Sequence, residues 1–457
     1  MSEIENIALE NENFFNLGND YFSLEGYRCF TGVDVVNLSP GEMRHTLKIQ
    51  SDEQNELHYA FSGSNGLCRT TPMGSVRKEN LLSELISLPN EVDSIRSFFE
   101  ENGFFFPVSK TEYEEVDIYS LTEVVNHIKA TVLLMSEIEE PNRSHEKILY
   151  LTLYLLLSER VSIKLNSMSK PYSTCYHGFI KTLEKASSVP KIDGTKEGFE
   201  SETYIITDSV YKPTYDLNID EYQDIISGSS LTNRYPGIND LRYKDIVYLY
   251  RNAPNETPAA RITIDFLFHL MRKVGVVSKV TYENGIEFYD EPAIENFDDN
   301  LKQALIVVAK IVLNEEINSN LSGIVPRFVA SKMEPSWKAT NLLSALYFSI
   351  FYMRPGSEIY RECANPACNN HFLVKTSNGR KKYCSPNCRN ATAQRNHAAV
   401  ERQIFVGQLA DVAQHAGLAV VGVEHRVREV GTGAQQAGRD EIGRAGGQCV
   451  DRGVRGR

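Results

Sequence analysis

The sequence predicts an α+β chain: a large, predominantly helical region followed by a small four-cysteine module. Apolar residues recur at helical spacing through much of residues 81–356, which predicts the helices. Strand-like runs are short and scattered, at residues 47–50 and 57–61 and again beyond residue 200, which predicts a minor share of strand. Four of the eight cysteines crowd between Cys363 and Cys388, which sets that segment apart from the helical region.

Taken in order, residues 1–80 read as a mixed α/β region. Leu47–Gln50 and Leu57–Phe61 alternate as half-buried strands do, and Ser62–Gly66 has turn chemistry. Residues 81–200 read as a helical region. Val92, Ile95, Phe98 and Phe99 share one helical face, with Gly103 placed as the C-cap. Leu121, Val124, Val125, Ile128, Val132 and Met135 mark a second amphipathic helix. Residues 149–161 are apolar on most faces, which predicts a central position. His127 and His269 read as core or surface histidines on helices, and the triplet Phe104-Phe105-Phe106 reads as core. A loose boundary falls between residues 170 and 200, and Thr203–Ile206 reads as a strand.

Residues 201–356 read as a second helical region with a β-hairpin. Thr257 is an N-cap with Pro258 in the first helical position, and the helix runs through Ile262, Phe266, Leu267, Leu270 and Met271. Val277–Tyr282 and Ile286–Tyr289 flank Asn284-Gly285, the residue pair favoured in a tight hairpin turn. Asp298 precedes a helix through Leu301, Leu305, Val308 and Val312. Pro335 is expected to open a last helix through Leu342, Leu343, Leu346, Tyr347 and Ile350. Residues 357–402 hold the cysteine module, and residues 403–457 an atypical Gly- and Arg-rich tail. Beyond His397 there are eight Arg, eleven Gly and no Lys, Tyr, Trp, Pro, Met or Asn. That change of usage points to a frame-shifted or fused segment, or to a natural flexible tail, and predicts disorder.

Composition bounds the function. With 42% hydrophobic and 24% charged residues the chain reads as a soluble globular protein. Its longest nearly apolar run, Ile148–Leu157, is far short of the roughly 20 residues that span a bilayer. The first residues are acidic and carry no apolar leader core. Together these predict a cytoplasmic protein without a membrane partner. In a reducing compartment, clustered cysteines read as a metal site ahead of a disulfide framework.

The cysteine pattern is Cys363-x4-Cys368, fifteen residues, then Cys384-x3-Cys388. Zn²⁺ takes four soft donors in a tetrahedron, and thiolates supply them. Two short-range pairs also lower the loop entropy of assembling the site. With all four positions filled by cysteine no open position is left for water, so the expected cofactor is a structural Zn²⁺. Iron is an alternative occupant, and redox-active thiols are an alternative reading. Between the pairs, His371–Val374 is expected to pair with Arg380–Tyr383 across a turn at Ser377–Gly379. Ser385 and Pro386 then fit an N-cap and first helical position, which puts Cys388 in the first turn. Knuckle, hairpin and helix in that order predict a treble-clef-like zinc finger.

Charge is uneven. The net charge is −12, yet residues 361–402 carry eight basic side chains against two acidic ones, a local +6 before thiolates are counted. Lys375, Arg380, Lys381, Lys382, Arg389 and Arg395 are the candidate nucleic-acid contacts, since clustered cations meet phosphates.

The run Cys363-Ala364-Asn365-Pro366-Ala367-Cys368, with Phe372, Asn378-Gly379-Arg380-Lys381-Lys382-Tyr383-Cys384-Ser385 and Cys388-Arg389-Asn390, resembles the CGNR-type zinc fingers of bacterial proteins. Cys388-Arg389-Asn390-Ala391 stands where that family has its name-giving tetrapeptide. The resemblance covers about residues 361–396. It implies a DNA-binding finger, with a role in transcription regulation, at the end of a mostly helical domain that senses a small molecule. No phosphate-binding glycine loop, nucleophile elbow or metalloprotease motif occurs, so nothing names a reaction, and an unrecognised enzyme within residues 81–353 is left as the least favoured reading. Two functions follow: a regulatory, nucleic-acid-associated protein, or a ligand-binding or protein-interaction protein whose finger is purely structural.

Overall fold

A computed structural model of the chain describes residues 21–34, 44–62, 66–70, 76–109, 112–188, 219–227, 242–252, 256–330, 333–353, 358–368, 370–375 and 380–396. The expected strand at Thr203–Ile206, the turn at Ser377–Gly379 and the tail from residue 403 lie outside them.

The N-terminal strands form one antiparallel sheet. β1 (Tyr21–Asp34), β2 (Arg44–Ser62), β3 (Gly66–Thr70) and β4 (Val76–Asn80) follow one another, and β5 (Glu114–Asp117) also pairs with β2. The two runs read as separate strands, Leu47–Gln50 and Leu57–Phe61, are parts of the single strand β2. Leu47, Ile49, Leu57, Tyr59 and Phe61 are all buried, the period-2 face that fixes which side of the sheet meets the helices. Ser62 pairs with Gly66, so the chain reverses where the turn chemistry placed it.

Ten helices follow before the cysteine module among the described residues: α1 (Leu81–Ile86), α2 (Val92–Asn102), α3 (Ile118–Glu139), α4 (His145–Leu157), α5 (Gly178–Ser188), α6 (Ile219–Ser227), α7 (Arg242–Asn252), α8 (Pro258–Lys273), α9 (Asp299–Asn320) and α10 (Leu342–Phe351). Their ends follow local chemistry. Asn80, Asp117, Ser144, Thr257 and Asp298 each accept an amide in the first turn of the helix that follows. Gly103 ends α2 at φ 81°, where a side chain would strain, and its N–H reaches the Phe99 carbonyl.

α3 differs from its predicted amphipathic form. It is buried on nearly every face, polar Asn126, His127, Lys129, Thr131 and Ser136 included, because α4, α9 and the sheet pack around it. Phe98, Phe99, Phe104, Phe105 and Phe106 are buried beside α2, mostly edge to face. β6 (Ser162–Ile163) and β7 (Tyr172–Ser173) form a short antiparallel pair, and β8 (Val277–Thr281) and β9 (Gly285–Phe288) make the expected hairpin, with Gly285 at φ 77°.

Pro335 does not open a helix. It lies in β11 (Glu334–Ala339), opposite Phe328 of β10 (Ile324–Val329), and α10 starts only at Leu342. Asn341 is the actual start signal: its side chain accepts the Ser344 amide at 2.8 Å. Proline is tolerated in a two-stranded hairpin because one side of each strand has no ladder to break.

The chain divides into two compact units. One comprises Met1–Cys363 with Asn369–Cys384, the other Ala364–Cys368 with Ser385–Arg457. A single contiguous cluster of buried apolar residues in the first unit runs from Leu47 to Tyr360.

Candidate metal centre

β12 (Glu358–Glu362) and β13 (His371–Lys375) form an antiparallel ladder, Glu358 opposite Lys375 and Glu362 opposite His371. The predicted partner of His371–Val374 was Arg380–Tyr383, and that pairing is replaced. Residues 381–383 are not strand, and the segment before the first cysteine takes the place. The physical reason is the Cys363–Cys368 turn, which reverses the chain and delivers β13 straight back onto β12. The Cys363 amide donates to the Asn370 carbonyl at 3.0 Å and closes the ladder. Inside the turn the Cys368 amide donates to the Asn365 carbonyl at 2.8 Å, and the Ala367 amide to Asn365 Oδ1 at 3.3 Å.

The hairpin is fastened to the helices of its own unit. The Tyr360 amide donates to Ser136 Oγ at 3.0 Å and the His371 amide to Ser87 Oγ at 2.8 Å. Arg361 clasps the Glu140 carboxylate with Nε at 2.8 Å and Nη2 at 2.6 and 3.0 Å, and its Nη1 reaches the Lys381 carbonyl at 3.1 Å. A bidentate guanidinium of this kind is a geometric lock as well as a charge pair.

Residues 386–396 are helical. Ser385 Oγ accepts the Cys388 amide at 3.3 Å, and Pro386 occupies the first position, as the sequence predicts. Cys388 therefore sits in the first turn, where unsatisfied amides favour a thiolate. Asn365 Oδ1 accepts Arg395 Nη1 at 2.6 Å.

One sulfur each from Cys363, Cys368, Cys384 and Cys388 lies within 4.8 Å of the other three. Cys363 is buried and the other three are half-buried, and none is in a disulfide. A tetrahedral ZnS₄ centre with bonds of about 2.3 Å spaces its sulfurs about 3.8 Å apart, so the donor set and its spacing fit Zn²⁺ with little adjustment.

The six candidate nucleic-acid residues are all exposed. Lys375 ends β13, while Arg380, Lys381 and Lys382 precede Cys384. Lys381 Nζ stands 5.0 Å from the centre of the Phe372 ring. Arg389 and Arg395 lie on the helix of residues 386–396, where six positions of separation put them on different faces. Arg395 is tied to Asn365.

A second group of ligand-type side chains escaped sequence reasoning. Cys175, His177 and Glu316, all buried, also bring one ligand atom each within 4.8 Å of the others. Glu316 Oε1 accepts the Tyr347 hydroxyl at 2.9 Å and faces His127 Nδ1 at 3.4 Å. Burial pushes the Glu316 carboxyl up, but His127, His177 and Tyr347 outweigh it and hold the group below its ordinary value. Burial, then the Glu316 charge, pushes the Cys175 thiol up to about 12. The short Cys175-x-His177 spacing was the only local signal, and nothing in the sequence tied it to Glu316.

No helix among the described residues is long and apolar enough to cross a membrane. No curated protein and no solved structure matches the chain. Residues 360–400 match the family model of the CGNR zinc finger, and that segment of the chain is identified by it.

Proposed function

We propose that the chain is a zinc-binding regulatory protein of the cytoplasm, with one structural Zn²⁺ held by Cys363, Cys368, Cys384 and Cys388 in a treble-clef-like finger. In this reading the finger meets the phosphates of DNA or RNA through Lys375, Arg380, Lys381, Lys382, Arg389 and Arg395. The observation that carries it is the approach of four sulfurs to within 4.8 Å inside a segment matched by the CGNR zinc finger. The metal supplies cross-linking and no reaction, since four thiolates leave no position for substrate. The cations are available: among the described residues Lys375, Arg380, Lys382 and Arg389 enter no ion pair. Phosphate contacts of this type position a protein on nucleic acid and specify little sequence.

The test is a binding titration of zinc-loaded protein against duplex DNA and single-stranded RNA at several salt concentrations. Affinity should fall steeply with salt, and Lys381→Ala/Lys382→Ala should weaken binding and flatten the slope. Undetectable binding at low salt, or binding indifferent to that double substitution, sinks the nucleic-acid reading and leaves the zinc reading standing.

A second reading has its own support. Arg361, Tyr360 and His371 bind the finger hairpin to Glu140, Ser136 and Ser87 of the helical region. That anchoring suits a finger whose role is structural, serving a domain that binds a small molecule or protein. An apolar hollow of about 650 Å³, lined by Leu321, Ile324, Trp337, Phe348 and Phe351, supplies a place for such a ligand. Chelation that lowers the melting temperature of the helical region, with no response to nucleic acid, favours this alternative.

A further inference from the structure

The helical core has a polar centre made by three separate stretches of chain. Cys175 and His177 lie between β7 (Tyr172–Ser173) and α5, Glu315 and Glu316 lie on α9, and His127 lies on α3. Cys175 is 8% exposed, His177 1% and Glu316 0%.

Its hydrogen bonding is complete on one side and open on the other. His177 Nδ1 meets Glu315 Oε2 at 2.8 Å, and Glu315 is held in turn by the Gly178 amide at 3.2 Å. With Nδ1–H donating to that carboxylate, Nε2 carries a free lone pair. Glu316 Oε1 is taken by Tyr347 and His127. His177 Nε2 and Glu316 Oε2 remain without hydrogen-bond partners, although both are buried. They face each other at 3.6 Å, too far for a hydrogen bond. Cys175, His177 and Glu316 each bring one ligand atom within 4.8 Å of the others, and the Cys175 sulfur lies 3.8 Å from His177 Nδ1, on the same ring.

A carboxylate on the outer nitrogen of a histidine is the usual second layer of a metal site, because it fixes the tautomer and aims the inner nitrogen. Here Glu315 does this for His177, while Tyr347 and His127 fix Glu316 so that Oε2 points inward. Charge agrees with a divalent ion. Among the three ligands, one thiolate and one carboxylate balance M²⁺, which lowers the cost of burying them, while the further negative charge of Glu315 sits on a side chain that is 27% exposed. Sulfur, imidazole and carboxylate together suit Zn²⁺ better than Mg²⁺ or Ca²⁺, which take oxygen.

We propose that Cys175 Sγ, His177 Nε2 and Glu316 Oε2 form a second, buried Zn²⁺ site, distinct from the four-cysteine centre. Binding forms three metal–ligand bonds and releases the Cys175 thiol proton to solvent, so uptake is favoured by rising pH.

The test uses the full chain, reduced and refolded in excess Zn²⁺ or Co²⁺, with metal counted after removal of the free ion. Two ions per chain are expected. Cys384→Ser/Cys388→Ser leaves the buried cluster untouched and should retain one ion, with a Co²⁺ spectrum showing the charge transfer of a single thiolate. Adding Cys175→Ser to that variant should abolish the thiolate band. Cys175→Ser/His177→Gln alone should retain one ion with the four-thiolate spectrum. If Cys384→Ser/Cys388→Ser is folded by circular dichroism and binds no metal, the cluster is a buried ion pair and the proposal is overturned. If instead Cys175→Ser/His177→Gln binds none, the four-cysteine reading fails while the buried site survives.

Discussion

The two groups of ligand-type side chains are built in opposite ways. Cys363, Cys368, Cys384 and Cys388 fall within one short segment, on a turn and the start of a helix, and three of the four are only half-buried. Cys175, His177 and Glu316 are spread over more than a hundred residues and are buried in the core. In the first group Cys363 comes from a hairpin packed on the core, but Cys368, Cys384 and Cys388 lie on half-buried segments, so it is the metal that would close the site. The second is held by the helices that carry it, so its geometry exists before any ion arrives. One site is made by its ligand, and the other waits for it.

Removing the metal from the four-cysteine centre should have the largest effect. Structural Zn²⁺ contributes about 10–16 kcal/mol to the folding of isolated finger peptides, more than such a segment gains otherwise. Strong chelator, or Cys363→Ser/Cys388→Ser, is expected to abolish amide protection in residues 363–368 and 385–396, while α3 and α9 stay protected. Hydrogen exchange checks this. Equal loss of protection in α3 would mean that the finger and the helical region share one fate, and the contrast drawn above would be wrong.

Next comes Glu316→Ala. It strands His127, His177 and Tyr347 in the core, and removal of one partner from a buried charged pair costs about 3–5 kcal/mol. Glu316→Gln keeps the volume and the hydrogen bond from Tyr347, so it should cost clearly less. Denaturant melts of both variants measure the difference. A Glu316→Ala protein as stable as the parent would show that this centre supports nothing.

This contrast also explains what the sequence revealed. The four cysteines were legible because their chemistry is local: spacing, a Ser385 cap and Pro386 all lie within a few residues of the ligands. Helices α2, α8 and α9 were legible for the same reason, through Gly103, Thr257 and Asp298. What failed was pairing between segments. His371–Lys375 was recognisable as a strand, yet its partner Glu358–Glu362 was not, because a ladder records no trace of its neighbour in sequence. Pro335 misled because proline at a helix start and proline in a hairpin edge look alike until Asn341 is weighed as the cap. Glu316 gave no signal, since a glutamate on an amphipathic helix normally faces water.

Arg361 sits where the two kinds of order meet. Its side chain and that of Glu140 are each 20% exposed, with three hydrogen bonds between them. A double-mutant cycle of Arg361→Ala and Glu140→Ala should give a coupling of about 0.5–3 kcal/mol, toward the upper half because the pair is bidentate and half-buried. The coupling should persist when zinc is removed if β12 is ordered by the helical region, and vanish if the metal alone orders it. Thermal melts with and without chelator separate the two.

The smallest effect expected is at Asp298, which heads the helix that carries Glu316. Burial raises its carboxyl, but the Leu301 amide and the Lys273 ammonium, 3.0 Å away, outweigh that and hold it below the usual carboxylate range. A carboxyl depressed by folding adds stability in full above its ordinary value and loses it as pH falls through the depressed one. Asp298→Ala should therefore cost about 1 kcal/mol near neutral pH, typical of a lost N-cap, and less in acid. Asp298→Asn keeps an oxygen for the Leu301 amide and should lose only the pairing with Lys273, with a shallower acid limb in its stability profile. If both variants lose the same amount at every pH, the cap acts through shape alone. Even this local device would then have been only half readable, its cap foretold by the sequence and its Lys273 partner supplied by the fold.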